Sequence, residues 1–417
     1  VDESVDLVES ILHLTGWTQS RLVYELRAVA RSLHEPEPTG LQPVTVNRWK
    51  RGRQRPGPYY QRLLRLLYTA ICEELAAENE EGEEMKRRQF FGFTAALVGG
   101  LAIDPDRLTA ALVAGSGADS RLVNDLSASI AARARRWHTD QPDALLPLVR
   151  SDLATVNELR MGRQDPGAGR RLVSLTSQTA ALAGWLAWQF GNDEAANAYY
   201  TFAYSLASEV QDRDDRAFVL TLRSFMGSGL FGAKADDDGL ALPMLREAVD
   251  LTGGSASPFL RVFALGRRAE ELARTGGLDA ARRDLDLAQT LLASAGTPHN
   301  GFFRYFGEGR LTGCRGTCAM VGGWPQEAVG LLSAVLDATP QELVAERSVL
   351  VADLGAAHAM LGEVEQACLL LGRSLDLGGH GHANRVGRVR AIRATHLARW
   401  SDAPAVARLD EQLFAMT

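Results

Sequence analysis

The segment Gly184-Trp185-Leu186-Ala187-Trp188-Gln189-Phe190-Gly191-Asn192-Asp193-Glu194-Ala195-Ala196-Asn197-Ala198-Tyr199-Tyr200-Thr201-Phe202-Ala203 recurs three more times along the chain in its small and apolar positions. Align Gly191 with Gly276, Gly323 and Gly362. Five residues after each glycine stands Ala196, Ala281, Ala328 or Ala367, and seven residues before each stands Gly184, Ala269, Gly316 or Gly355. Four residues after each alanine comes Tyr200, Leu285, Leu332 or Leu371; three further come Ala203, Ala288, Val335 and Ser374. With 40 glycines in 417 residues, four aligned by chance have odds of roughly one in ten thousand before the choice of register. A weaker fifth copy reads Gly229, Ala241, Leu245 and Ala248, so the alanine column advances in steps of 45, 40, 47 and 39.

These columns describe two helices meeting closely. Small residues at the first and last columns let the backbones approach, and the glycine ends the first helix where left-handed φ is needed. The alanine and the large apolar residue make the inner stripe of the second helix. The pattern resembles the tetratricopeptide repeat, whose period of about 34 residues is exceeded here by longer helices or loops. The resemblance implies an α-solenoid, a superhelix of antiparallel helix pairs whose first helices line the concave side. Projecting the register places Gln178, Trp185, Trp188, Gln189, Phe263, Glu270, Arg274, Arg310, Thr317 and Met320 on that side as a candidate ligand groove. The competing reading makes the large aromatics inter-repeat core.

Composition agrees with a helical protein. Apolar residues are 46%, charged 23% and aromatic 7%, globular values that exclude wholesale disorder and collagen-like structure. Ala, Leu, Arg and Glu dominate, and alternating β-branched runs are scarce. Lysine occurs only at Lys50, Lys86 and Lys234, an arginine skew we read as a high-GC bacterial genome. No run of 18 apolar residues exists, so no membrane-spanning helix is expected. Cys72, Cys314, Cys318 and Cys368 form no even framework, which points to a reduced cytoplasmic protein.

The amino-terminal stretch carries a different signal. Thr18 stands where it caps a helix that begins at Gln19. Beyond the loop His34-Glu35-Pro36-Glu37-Pro38-Thr39-Gly40, residues Val44-Thr45-Val46-Asn47-Arg48-Trp49-Lys50-Arg51-Gly52 form a short helix ended by glycine, with Pro43 suited to its first turn. From Val44 to Cys72 there are seven basic residues, Arg48, Lys50, Arg51, Arg53, Arg55, Arg62 and Arg65, and no acidic one. Against a net charge of −6 this local patch points to phosphate.

The same residues resemble the helix-turn-helix of the lambda-repressor-like (xenobiotic-response-element, XRE) family. The resemblance implies that Gln19 bonds phosphate, that Thr45, Asn47 and Arg48 face the major groove, and that Val46 and Trp49 are core. Thr18, Lys50, Arg51, Arg53 and Arg55 complete the expected DNA-binding set. The chain departs from the family in the proline-rich insertion from Leu33 to Leu41. A helix-turn-helix joined to a degenerate repeat array, with Arg87-Arg88-Gln89-Phe90 between them and Ala183-Gly184-Trp185-Leu186-Ala187 within the array, is similar to a family of high-GC bacterial transcriptional regulators.

The expected organisation is all-α: a helix-turn-helix domain at 1–70, linker helices at 71–104, and a tetratricopeptide-like sensor and oligomerisation domain at 105–417. The linker holds the acidic run from Glu73 to Glu84 and an apolar segment, Gly92 to Ile103, behind Lys86-Arg87-Arg88. That segment mimics an export signal but reads as a buried inter-domain helix. Expected partners are double-stranded operator DNA, a second copy of the chain, and a peptide, small-molecule or protein ligand in the groove; no membrane partner is expected. The alternative is a repeat scaffold that sequesters a partner, or a sensor with a vestigial helix-turn-helix.

Enzymatic chemistry finds no footing in the sequence. Gly227-Ser228-Gly229-Leu230-Phe231-Gly232 spells G-x-G-x-x-G but lacks a preceding strand. Gly232-Ala233-Lys234 lacks the Gly-Lys-Ser/Thr of a phosphate loop. Cys314 and Cys318 share a helix face without a matching Cys/His pair and read as buried thiols. His380 and His382 read as a solvated loop. No catalytic residue, cofactor or metal is assigned.

Overall fold

The structure is a computed structural model, and it describes residues 8, 11–12, 19–32, 41–51, 53–65, 67, 107–108, 111–112, 117–162, 164, 166–232, 239–254, 257–295, 307–378 and 383–416. Every α-helix that can be bounded there belongs to an all-helical chain, with no strand among the described residues. Contacts divide the chain into two units, residues 1–96 and 97–417. This division falls inside the segment expected as linker.

In the first unit, α1 (Gln19–Ser32) packs on α2 (Pro43–Lys50). Leu22, Leu26 and Ala30 repeat every four residues along α1 and are all buried, as helical periodicity requires. Pro43 occupies the first turn of α2, where its missing N–H costs nothing, behind an extended Gln42. Val46 and Trp49 are the buried residues of α2, as expected. Trp49 meets Tyr60 at 5.1 Å between ring centroids, and the Arg27 Nη2 donates to the Leu41 carbonyl at 3.0 Å across the unit.

In the second unit, α3 (Ser120–Ala134) and α4 (Pro142–Met161) precede five helix pairs: α5 (Pro166–Gln189) with α6 (Asp193–Glu209), α7 (Arg213–Arg223) with α8 (Ala241–Leu251), α9 (Pro258–Arg274) with α10 (Leu278–Ser294), α11 (Glu308–Val321) with α12 (Pro325–Ala338), and α13 (Val344–Leu361) with α14 (Val364–Gly378). The chain continues through α15 (Ala383–His396) and α16 (Pro404–Ala415). The successive pairing is that of an α-solenoid.

Each column has its structural cause. Gly191, Gly276, Gly323 and Gly362 adopt φ of +84, +87, +86 and +82°. At each, the glycine N–H and the next N–H turn back to the helix they follow: Gly191 to Trp188 and Asn192 to Ala187, Gly276 to Ala273 and Gly277 to Leu272, Gly323 to Met320 and Trp324 to Ala319, Gly362 to Ala359 and Glu363 to His358. This is the paired Schellman closure, repeated four times. The small first column makes room for the large apolar one: a Cβ on Gly184 would stand 3.1 Å from the Tyr200 ring, on Gly316 2.7 Å from Leu332, and on Gly355 3.0 Å from Leu371.

The fifth copy needs a correction. Ala241, Leu245 and Ala248 are buried as expected, but Gly229 does not make the turn. It opens a short 3-10 segment, Gly229–Phe231, and the left-handed positions are Gly232 and Gly239.

The array also closes on itself, which the open concave groove of the repeat resemblance did not anticipate. Helix α15 runs back across the interior. Ala383 Cβ lies 2.7 Å from where a Cβ on Gly191 would stand, and the Phe231 carbonyl lies 2.6 Å from the same point on Gly387. Arg388 Nη1 donates to the Leu230 carbonyl at 3.1 Å. The 3-10 turn Arg135–His138 reaches α13, where His138 pairs with Glu346.

Candidate functional site

Two places concentrate chemistry-bearing side chains, one in each unit. In the first unit Arg48, Lys50, Arg51, Arg53, Arg55, Arg62 and Arg65 are all exposed. Gln19 opens α1, partly exposed, and Thr45 and Asn47 are half-buried on α2. Helix α2 contains no acidic residue. Thr18, Gly52 and the run from Glu73 to Glu84 lie outside the described residues.

In the second unit the interior holds a partly open cavity of about 90 Å³, where about 10–15 Å³ suffices for one water. Of the ten groove residues, Trp185, Gln189, Phe263, Glu270 and Arg310 line it. The other five point elsewhere. Gln178 donates to Asp215 at 2.8 Å and borders a separate cleft with Ser174, Arg170 and Arg171. Trp188 and Met320 are core. Arg274 is held by Glu271 at 2.9 Å, and Thr317 donates to Asp353 at 2.6 Å.

One wall of the cavity is aromatic. Trp185 meets Trp137 at 5.2 Å and Phe225 at 5.0 Å, and Phe225 meets Phe231 at 5.2 Å and stacks on Phe263 at 6.5 Å. Arg267 lies over the Phe225 ring at 4.5 Å and Arg388 over Phe231 at 4.6 Å, cation–π contacts in a desolvated setting.

Behind the rings is a buried charge network. Arg267 pairs with Glu270 at 3.2 Å and Glu271 at 2.5 Å. Burial pushes the Glu271 carboxyl up, but Arg267, a Ser228 hydroxyl and Arg274 together hold it below its ordinary value. Arg388 pairs with Asp353 at 2.5 Å. Burial likewise opposes ionisation of Glu346, yet His138 and Arg310 hold its carboxyl below the usual range. Arg310 gains from Cys314, Glu270, Glu346 and Asp353 more than burial takes away, and its guanidinium is raised.

Arg385 is the exception. It is 6% exposed, makes no hydrogen bond or ion pair among the described residues, and its Nη1 is buried without a partner. Burial pulls its pKa down to about 10, with only the charge of Glu346 opposing. Asn384 Oδ1 and Glu346 Oε2, on the same cavity, are also buried without partners.

Sequence reasoning missed Arg385, Asn384, Arg388, Phe225 and Phe231 because none belongs to a first helix of the aligned repeats, and it missed Glu346, which opens the first helix α13 nine residues before Gly355. One signal was present: α15 carries Arg385 and Arg388 three apart, flanking Gly387, with no acidic residue in the helix.

The remaining candidates settle into structural roles. Gly227 to Gly232 lies between helices, and Ser228 Oγ donates to the Glu271 carboxylate, a poor setting for phosphate. Cys314, Cys318 and Cys368 are buried free thiols, and burial pushes all three up from the ordinary thiol range. Cys72, His380, His382 and Lys234 lie outside the described residues. No helix among the described residues is long and apolar enough to cross a membrane, and no metal-ligating cluster occurs among them. Compared with known proteins, the chain matches no family model and no curated sequence.

Proposed function

We propose that this chain is a DNA-binding transcriptional regulator, with residues 1–70 as an XRE-type helix-turn-helix reading a duplex operator and the repeat unit as its signal-responsive and dimer-forming part. The observation that carries the reading is the exposure of all seven basic residues from Arg48 to Arg65 around a small apolar core that includes Val46 and Trp49. Exposed guanidinium groups on and beyond a short helix supply phosphate contacts and, from α2, base contacts. Helix-turn-helix half-sites lie about 34 Å apart, so a dimer must hold two recognition helices at that separation.

The scaffold alternative relies on a partner entering the concave side. Helix α15 packs against the first helices α5 and α13 and the turn Gly229–Phe231, which leaves less room for a folded partner and supports the regulator reading over an open platform.

The test is a gel shift with the DNA upstream of the protein's own gene, run at several salt concentrations beside random DNA of equal length. The regulator reading expects a sequence preference that weakens steeply with salt. No preference at low salt removes the reading and leaves the scaffold.

A further inference from the structure

Burying a guanidinium without a counter-charge costs several kcal/mol. The other arginines of this unit with almost no exposed surface meet that cost with paired carboxylates: Arg133 with Asp152, Arg267 with Glu270 and Glu271, Arg388 with Asp353; the half-buried Arg310, on the same cavity, is answered at longer range by Glu270, Glu346 and Asp353. Arg385 forms no such pair: the Glu346 charge acts on it only from beyond ion-pair distance, and it stands on the wall of a cavity. An anion entering that cavity supplies what the fold omits, and the planar fork of arginine suits a carboxylate held by two parallel bonds.

The cavity states two further requirements. Its lining includes the rings of Trp185, Phe231 and Phe263, so the anion carries a flat apolar body. The unpartnered Asn384 Oδ1 and Glu346 Oε2 are both acceptors, because Glu346 is held ionised by His138 and Arg310. They call for a donor on the ligand. The limited volume and the closure of the interior by α15 favour a single ring over a peptide.

We propose that the repeat-unit cavity is a binding site for a small aromatic carboxylate bearing a hydroxyl or amino donor, its carboxylate on Arg385, its ring on the aromatic wall, and its donor toward Asn384 and Glu346. The inference deepens the signal-responsive half of the function proposed above, by naming the class of signal. It is tested without DNA, so its failure leaves the operator reading standing, and the reverse also holds.

The experiment is isothermal titration calorimetry of the full chain with 4-hydroxybenzoate, benzoate, 4-hydroxybenzamide and inorganic phosphate. The expected order places 4-hydroxybenzoate first, its uncharged amide about tenfold or more weaker, benzoate weaker by the missing donor, and phosphate absent. Arg385→Met, with its fold checked by circular dichroism, abolishes the difference between acid and amide. Asn384→Leu keeps that difference but reduces the preference for the hydroxylated ring, so the assignment stays testable if the first variant fails to fold. Equal binding of acid and amide by the full chain overturns the proposal. So does unchanged selectivity in folded Arg385→Met. Phosphate binding in preference to the aromatic acids makes this an inorganic-anion site and removes the ring from the argument. Failure of every probe up to about 10 mM makes the cavity a water-filled void.

Discussion

In the amino-terminal unit Arg48, Arg51, Arg53, Arg55, Arg62 and Arg65 are all exposed, whereas in the repeat unit Arg133, Arg267, Arg385 and Arg388 are all buried. The first group lies around an apolar core that contains none of them. The second is woven into the packing, with Arg267 both paired to two carboxylates and seated on an aromatic ring. An exposed cation adds little to stability and keeps its reach for a polyanion. A buried cation must be answered from within, and one left unanswered marks where something else is expected.

The sharpest way to break this contrast is to remove one arginine of each kind. Arg267→Met leaves Glu270 and the fully buried Glu271 without their principal partner, and should cost about 3–5 kcal/mol in urea unfolding. Arg48→Met should change stability by less than about 0.5 kcal/mol. Similar losses at the two sites would erase the distinction.

A buried acid without an arginine gives the next effect. Asp215 is 4% exposed, accepts from Ser174 and Gln178, and stands near Asp212 and Asp214. Burial, reinforced by those two aspartates, pushes its carboxyl from 3.8 to about 7. Because the folded value lies above the unfolded one, the folded chain holds this proton more tightly. The stabilisation is complete below about pH 4 and is lost as pH rises through about 7. Asp215→Asn should therefore raise stability at pH 8 by a few kcal/mol, leave it nearly unchanged near pH 4, and flatten the dependence between pH 6 and 8. A variant less stable at pH 8 would show that the carboxylate is the form the site prefers.

On the exposed side the expected effects lie in binding. Arg48→Ala should lower specific DNA affinity more than random-DNA affinity, by about 1–3 kcal/mol of discrimination. Arg53→Ala should weaken both alike and reduce the salt slope by about one unit. Equal loss on both DNAs for Arg48→Ala would confine it to phosphate.

The two units also differ in how much could be read before any coordinates. The four glycine turns and the burial of Tyr200 against Gly184 follow from local rules of φ, periodicity and volume, and the core pair Val46 and Trp49 was implied by the helix-turn-helix resemblance. A register fixes which face Trp185, Gln189, Phe263, Glu270 and Arg310 occupy, and these five of the ten projected residues line the cavity. It does not fix which partner a polar residue finds, so Gln178 and Thr317 went to buried aspartates instead. The cavity floor was beyond reach because α15 returns to a turn about 158 positions earlier, Arg388 meeting Leu230, and no periodic signal encodes that contact. Gly229 failed as a turn residue where the fifth copy has an irregular insertion.

The smallest effect compares one buried polar atom in each unit. Trp49 Nε1 and Tyr200 Oη are both buried without a hydrogen-bond partner, and burial pushes the Tyr200 phenol well above its ordinary range. An unsatisfied buried hydroxyl costs about 1–3 kcal/mol. Tyr200→Phe removes that hydroxyl while keeping the ring that packs on Gly184, so it should stabilise the repeat unit by about 1 kcal/mol. Trp49→Phe removes the indole N–H but also ring volume and contact with Tyr60, and should destabilise, because packing lost in a small core outweighs the polar gain. Thermal melts of both variants check the pair. Destabilisation by Tyr200→Phe would mean that the hydroxyl has a partner in solution, such as a bridging water, and that the small first column leaves room for it.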